Sequence, residues 1–273
     1  MVAEQDQRNL MMRIAAALVL APVAIVCAYL GGWWWAVLVT LGAVGLFVEW
    51  LTVTCAERNV AVTVSGAVAL LLATPFLALG RVETALVVLA LGLVAVAVRS
   101  SPPRGWVIGG YLYAAVAQLA SVVVRIDQMQ GFSALILVLL VVWATDIGGY
   151  FAGRAIGGPK LWPRVSPKKT WAGALGGFAA SLLVAACFAA FGSGKLLPML
   201  LLSAVLSIAS QFGDLFESAV KRRFGVKDSS HIIPGHGGLM DRLDGFVAAI
   251  ALAAIFGFWR HGLDGVGSGL MVW

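Results

Sequence analysis

Long apolar runs separated by short polar segments dominate the chain from residue 14 onwards. Several runs contain about 20 residues, the length with which a helix rising 1.5 Å per residue crosses a hydrocarbon core of about 30 Å. The apolar residues are continuous and do not alternate, so the pattern predicts helices and not barrel strands. Nine spans are predicted, at about residues 14–30, 33–53, 60–79, 83–98, 107–124, 132–151, 171–191, 196–212 and 241–259.

The sequence therefore predicts an all-α fold, a polytopic transmembrane helical bundle. The first run follows Arg8 and Arg13 as a signal peptide would, but Trp33 and its tryptophan neighbours stand where a small-residue cleavage site is needed. We interpret it as a retained helix. Charged residues and glycines become concentrated from Asp146 onwards. We accordingly expect N-terminal transmembrane helices at residues 1–131 and a catalytic transmembrane region at residues 132–273.

Composition and charge agree with a membrane location. Hydrophobic residues make up 61% of the chain and charged residues 12%, against about 25% charged residues in a soluble domain. The net charge of +6 fits basic loops at a membrane better than a nucleic-acid partner. With the N-terminus inside, 15 of the 19 Lys and Arg residues lie in inside segments and 4 in outside segments. This asymmetry predicts an N-in, C-out orientation. We expect a multi-pass protein of the cell inner membrane with its active site at the cytoplasmic face.

The segment from Gln211 to Asp244 carries the densest set of candidate functional residues. If the preceding helix continues, four of its polar residues share one face, namely Asp214, Ser218, Lys221 and Arg222. A polar segment follows, with Lys227, Asp228, His236, Gly237 and Gly238, and the last span opens with Asp241, Arg242 and Asp244. Glycines there allow positive φ angles and close approach of the backbone to a ligand.

Because the two flanking spans are antiparallel, Asp214 and Asp241 should return to the same side of the membrane. Two carboxylates repel each other unless a cation lies between them, and Mg²⁺ is commonly bound by one or two carboxylates together with substrate phosphates. Neighbouring lysines and arginines would bind phosphate, which predicts phosphoryl or nucleotidyl transfer. The alternative is that the basic residues anchor helices at lipid headgroups and the acids neutralise them.

A second polar cluster runs from Trp143 to Gly173 and contains Asp146, Ser166, Lys168 and Lys169. No GxxxxGK[ST] motif occurs, so a P-loop mechanism is unsupported. The lysine pair could hold a triphosphate or a lipid phosphate; the alternative is a basic loop at anionic lipid. For Glu49, near the end of the second span, we expect snorkelling or a local hydrogen bond and not catalysis. His236 is a weaker candidate than the acids.

The stretch from Ser218 to Asp244, with Lys227-Asp228-Ser-Ser230 and Pro234-Gly-His236-Gly-Gly-Leu-Met-Asp241-Arg242-Leu-Asp244, closely resembles the signature of the phosphatidate cytidylyltransferase family. The segment Ser166-Pro-Lys-Lys-Thr170 is similar to this family as well. One position departs from it: the family often has a glutamate two residues after that threonine, where this chain has Ala172. An acidic role there is not available.

The resemblance implies transfer of CMP from CTP to phosphatidate, giving CDP-diacylglycerol and diphosphate. It also implies Mg²⁺ held by Asp214 and Asp241, admits a monovalent cation such as K⁺ nearby, and favours a homodimer in membrane lipid. Two alternatives remain open: a CTP-dependent kinase of a polyprenol or lipid alcohol, and an anion transporter. We assign catalysis to Asp214, Asp241, Lys221 and Arg242. We assign substrate binding to Asp146, Ser166, Lys168, Lys169, Ser218, Arg222, Lys227, Asp228, His236, Gly237, Gly238 and Asp244.

Overall fold

The computed structural model describes residues 21–54, 59–230 and 237–273. Its helices are α1 (Ala21–Leu30), α2 (Gly32–Val53), α3 (Val60–Ala78), α4 (Val82–Arg99), α5 (Arg104–Ile126), α6 (Gly131–Ile156), α7 (Trp171–Ala190), α8 (Leu196–Arg223), α9 (Met240–His261) and α10 (Val266–Met271). Within these residues, α2 to α9 are eight helices long and apolar enough to cross a membrane. They match eight of the predicted spans, and of the first span only residues 21–30 are described. The predicted polytopic helical bundle is confirmed.

Three features of the fold lie outside the predicted spans. Strands β1 (Lys160–Trp162) and β2 (Ser166–Thr170) form an antiparallel hairpin between α6 and α7. Helix α8 continues well beyond its apolar run, to Arg223, and a short helix, α10, follows α9. A search for apolar runs misses such elements because the hairpin and the end of α8 are polar and α10 is too short to span a membrane.

The chain forms two compact units. The first comprises Met1–Gln118 and Phe224–Arg242, and the second comprises Leu119–Arg223 and Leu243–Trp273. The segment that follows α8 therefore belongs with the first helices of the chain. The functional division at residue 131 stays a prediction.

In the first unit, buried polar side chains connect α2, α3 and α5. The amide of Gln118 donates hydrogen bonds to Thr40 Oγ1 at 2.7 Å and to the Leu70 carbonyl at 3.0 Å. Thr40 and Thr74 are themselves hydrogen-bonded at 2.8 Å. Such bonds hold helices together in lipid, where apolar contact between helices gives little advantage over contact with lipid.

In the second unit, glycines allow α6 and α7 to approach closely. A Cβ atom added to Gly173 would lie 2.9 Å from the Gly149 carbonyl oxygen, and one added to Gly148 would lie 2.9 Å from the Gly176 oxygen. Thr170 begins α7 by accepting a hydrogen bond from the Gly173 N–H at 3.1 Å. The hairpin that ends at Thr170 is thereby joined to the start of a membrane helix.

Asp127, in the connection between α5 and α6, anchors α10. One carboxylate oxygen accepts hydrogen bonds from the N–H groups of Met129 and Gln130 at 2.8 and 3.1 Å, and the other accepts one from the Ser268 N–H at 2.5 Å. Ser268 lies in the first turn of α10, where N–H groups have no acceptor within the helix. Burial raises the pKa of Asp127, but the hydrogen bonds from Ser268, Gln130 and Met129 outweigh it and hold that pKa below its ordinary value.

We expect Asp127→Ala to destabilise the protein by about 1–2 kcal/mol at neutral pH, the usual cost of losing a helix cap. Because the pKa of Asp127 is lower in the folded state, its contribution is complete above the unfolded-state pKa of about 3.9. It is lost as the pH falls through the folded-state pKa. Melting temperatures of wild type and variant in detergent should therefore differ at pH 7 and converge only as the pH falls below the unfolded-state pKa of about 3.9. Exposed Asp264 provides the control as Asp264→Ala, and a pH-independent difference for Asp127→Ala would contradict this assignment.

Candidate active site

Asp214 lies on the polar continuation of α8 and is half-buried. Its carboxylate forms an ion pair with the Lys169 ammonium from β2. The Ser218 hydroxyl, one turn further along α8, donates a hydrogen bond to Asp214 Oδ1 at 3.4 Å. The hairpin therefore brings one lysine of the predicted phosphate-binding pair to the carboxylate predicted for catalysis.

A second ion pair lies on the same face of α8. The Lys221 ammonium is 2.7 Å from Glu217 Oε2, and both side chains are buried. Removing such charges from water is costly unless they pair, and pairing at a spacing of four residues partly offsets that cost. Lys221 was predicted as a catalytic residue, whereas Glu217 was not.

Two glycines bring α8 and α9 together at this point. A Cβ atom on Gly213 would lie 2.5 Å from the Asp244 carbonyl oxygen, and one on Gly245 would lie 2.5 Å from Ser210 Oγ. Small residues permit this approach of two membrane helices. Each glycine adjoins an aspartate in sequence, so the close approach also brings Asp244 near Asp214.

Four acids, Asp146, Asp214, Glu217 and Asp244, are linked by their electrostatic interaction with Asp244, and we call them the acidic cluster. Asp244 is repelled electrostatically by Asp214, Glu217 and Asp146. Lys169 pairs with Asp214, and Lys221 pairs with Glu217. Like charges at the end of membrane helices repel each other, and a bound cation would relieve that repulsion.

The predicted residues of the first unit have different partners. Asp241 Oδ2 accepts hydrogen bonds from the Ser229 N–H at 3.1 Å, the Ser229 hydroxyl at 3.1 Å and the Gly238 N–H at 3.0 Å. Gly237 has a φ of 83°, a conformation that favours glycine. Gly238 is packed so closely that a Cβ atom would lie 2.7 Å from Glu49 Oε2. In this structure the backbone at these glycines lies close to side chains of the protein itself. Close approach to a ligand stays a prediction.

The remaining predicted residues differ in exposure. Ser166 begins β2 and is half-buried, while the side chains of Lys168, Arg222, Lys227, Asp228 and Arg242 are exposed. His236 lies outside the described residues. Asp214 and Asp241 belong to different compact units, and their joint binding of one metal ion stays a prediction.

The donor set fits a hard divalent cation, because carboxylate oxygens are the ligands that Mg²⁺ prefers. Among the residues that the structure describes, no three Asp, Glu, His or Cys side chains are close enough to hold a metal ion together. Mg²⁺ commonly takes one or two carboxylates and completes its shell with water and substrate phosphate. The acidic cluster could therefore supply protein ligands and leave positions for a nucleotide.

Sequence reasoning assigned no functional role to Glu49, Glu217, Gly213 or Gly245. Glu217 could have been identified from the sequence, because it lies three residues after Asp214 and four before Lys221, on the same face of the predicted helix. The glycines would have required knowledge of which helices pack together. Glu49 is buried and hydrogen-bonded to residues 180 to 191 positions away, so the expectation of snorkelling or a local hydrogen bond is wrong.

Known proteins resemble this chain along almost its whole length. The family model described as "Cytidylyltransferase family" matches residues 11–259. Phosphatidate cytidylyltransferases of Brucella suis biovar 1 and Brucella melitensis biotype 1 are each 42% identical over 256 residues, covering 91% of this chain and 93% of the relative. The enzyme of that name from Haemophilus influenzae is 43% identical over 139 residues, about half of each chain. The match therefore includes both the acidic cluster and the N-terminal helices, and the chain belongs to the cytidylyltransferase family.

Proposed function

We propose that this protein is a phosphatidate cytidylyltransferase, which converts CTP and phosphatidate into CDP-diacylglycerol and diphosphate. The observation that carries the proposal is the 42% identity, over nine-tenths of the chain, to relatives of that name. The acidic cluster with its two lysines on membrane-spanning helices supports it. A lipid phosphate and a nucleotide can meet only where membrane helices end in polar residues.

The reaction needs charge neutralisation and alignment more than proton transfer. A phosphate oxygen of phosphatidate attacks the α-phosphorus of CTP, and the bond from that phosphorus to the oxygen bridging it to the β-phosphorus breaks. The bonding electrons leave with diphosphate. The attacking phosphate monoester is already anionic near pH 7, so no strong general base is required.

The lysines of this site are suited to the triphosphate. Lys169 and Lys221 are each held by a carboxylate in the structure, which fixes their ammonium groups before substrate arrives. Exposed cations supply the charge for a second phosphate group at headgroup depth, with Lys168, Arg222, Lys227 and Arg242 as candidates. The preference for CTP over other nucleotides follows from the family and not from charge.

As metal ligands we propose Asp214 and Asp241, with Asp244 and Glu217 near Asp214. When bound, Mg²⁺ would add positive charge to the triphosphate and the departing diphosphate. A monovalent cation such as K⁺ could balance the remaining acids. Asp241 also has a structural role, because the N–H groups of Ser229 and Gly238 donate hydrogen bonds to Oδ2 and fix it at the start of α9.

We further propose that the protein is a homodimer of the bacterial inner membrane with its active site at the cytoplasmic face. The placement of basic residues supports this orientation: Lys168, Lys169, Lys221, Arg222 and Lys227 all follow or precede spans that end on one side under the N-in arrangement. The positive-inside rule assigns that side to the cytoplasm.

Labelled CTP tests the function in detergent micelles containing phosphatidate. We expect label at the α-phosphate to enter the lipid product and label at the γ-phosphate to leave as diphosphate, because the α–β bond is broken. Diacylglycerol and polyprenol should not be labelled by either form. A lipid-alcohol kinase would give the reverse result, with γ-label in the lipid, and a transporter would give no covalently labelled lipid. Either of those results would contradict the proposed reaction.

A further inference from the structure

Glu49 is a buried carboxylate near the end of α2, with a side chain that is only 1% exposed. Its Oε2 atom accepts hydrogen bonds from the Ser229 hydroxyl at 2.9 Å and the Met240 N–H at 2.7 Å. Its Oε1 atom accepts them from the Ser230 hydroxyl at 2.6 Å and the Leu239 N–H at 2.8 Å. Four donors thus surround one carboxylate, which is the number that its two oxygens can accommodate well.

Two of the donors are backbone groups at the start of α9. The first N–H groups of a helix have no acceptor within the helix, and they carry the positive end of its dipole. A carboxylate at that position stabilises the helix start and fixes its direction through charge-assisted hydrogen bonds. The residue directly after Met240 is Asp241, so Glu49 holds the turn of helix that carries this candidate catalytic side chain.

The serine donors provide a second connection between Glu49 and Asp241. The Ser229 hydroxyl lies 2.9 Å from Glu49 Oε2 and 3.1 Å from Asp241 Oδ2. A hydroxyl group has one proton and donates to one carboxylate at a time. Gly238 packs against both Ser229 and Glu49 so closely that no side chain would fit there. A change at Glu49 must therefore reach Asp241 through Ser229 and through the backbone of residues 238–240.

We propose that Glu49 is a positioning residue for the cytidylyltransferase reaction. It fixes Ser229, Ser230 and the first turn of α9 so that the Asp241 carboxylate is held in its reactive place, and it makes no contact with substrate itself. This inference rests on the proposed function and on the assignment of Asp241 to the reaction. Both the negative charge of Glu49 and its four acceptor positions are needed to hold Asp241 in place.

Glu49→Gln preserves the size of the side chain but replaces one acceptor oxygen by an NH₂ group, which then faces donors. We expect kcat to fall between about 10- and 100-fold, the loss associated with small displacements of reacting groups. The KM for phosphatidate should change less than about twofold, because an interaction needed in the transition state is impaired and not ground-state binding. Glu49→Asp, which retains the charge and both acceptors, should recover part of kcat.

Hydrogen exchange supplies a readout that is independent of activity. The amides of Leu239 and Met240 should exchange faster in Glu49→Gln than in wild type, because their acceptor is weakened. The matched control is Glu83→Gln, an exposed carboxylate in the first turn of α4, which should leave kcat and this exchange unchanged. If Glu49→Gln does not fold, Ser230→Ala removes only one of the four donors. We expect this variant to fold with a lowered melting temperature, because a buried acceptor loses one donor, and its kcat should be about threefold or more below that of wild type.

The results separate this inference from the proposed function. Wild-type protein that transfers no cytidylyl group would overturn both. Active wild type together with a folded Glu49→Gln or Ser230→Ala of undiminished kcat would overturn the positioning role alone. A uniform loss of stability with kcat retained in the folded fraction would show that Glu49 is structural only, and would overturn the proposal as well.

Discussion

Replacing Asp214 by asparagine is expected to reduce CDP-diacylglycerol formation by about 100-fold or more. The substitution removes the negative charge while preserving the shape of the side chain. Loss of a charged group that orients metal and phosphate costs several kcal/mol of transition-state stabilisation, and about 3 kcal/mol corresponds to about 100-fold in rate. The measurement is the initial rate with purified variant in detergent micelles at saturating CTP and phosphatidate.

The same substitution should change the stability of the fold only slightly, because it removes the repulsion between Asp214 and Asp244 together with the ion pair between Asp214 and Lys169. These two effects oppose each other, so the melting temperature should stay close to that of wild type. The control is Asp264→Asn, which makes the same chemical change at an exposed aspartate between α9 and α10. A rate near that of wild type for Asp214→Asn would remove this residue from the reaction.

Replacing Gly213 by alanine is expected to lower both stability and activity. The new Cβ atom would lie 2.5 Å from the Asp244 carbonyl oxygen and 2.8 Å from the Ala248 side chain. Backbone cannot yield as a flexible side chain can, so α8 and α9 must separate. Such overpacking costs about 1–3 kcal/mol, and the separation also moves Asp244 away from Asp214.

Gly105→Ala is the matched control, because a Cβ atom there would meet nothing within 4 Å. Alanine is favoured over glycine in a helix by up to about 1 kcal/mol, so this variant should be as stable as wild type or more so. Melting temperatures in detergent and cytidylyl transfer rates would be measured for both variants. Equal behaviour of Gly213→Ala and Gly105→Ala would show that the helices can adjust at this contact.

The membrane helices could be predicted from sequence because hydrophobic length alone defines them. Each of α2 to α9 overlaps a predicted span, although α8 ends 11 residues later than its predicted end at 212. The extension was missed because charged residues interrupt the apolar run while the helical backbone continues. The same residues were nevertheless expected to share a helix face, and Asp214, Ser218 and Lys221 lie on α8 as that expectation required.

The parts of the site that could not be predicted depend on packing between distant segments. The proximity of Asp244 to Asp214 follows from the contact of Gly213 and Gly245 with neighbouring helices, and nothing in a linear sequence identifies which glycine meets which helix. The pairing of Lys169 with Asp214 depends on a hairpin whose residues resemble an irregular basic loop. Residue chemistry was predictable from sequence, whereas the choice of partners was not.

The hydrogen bonds of Glu49 also constrain how the chain is assembled during synthesis. Ser229 and Met240 lie 180 and 191 residues after Glu49, so the ribosome completes most of the protein before these donors exist. A carboxylate in hydrocarbon without hydrogen-bond partners is costly, and α2 must keep Glu49 in contact with water or another polar group during that interval. A nascent chain that stops before Ser229 therefore lacks all four donors to Glu49, a defect by which a membrane protease could distinguish it from the finished protein.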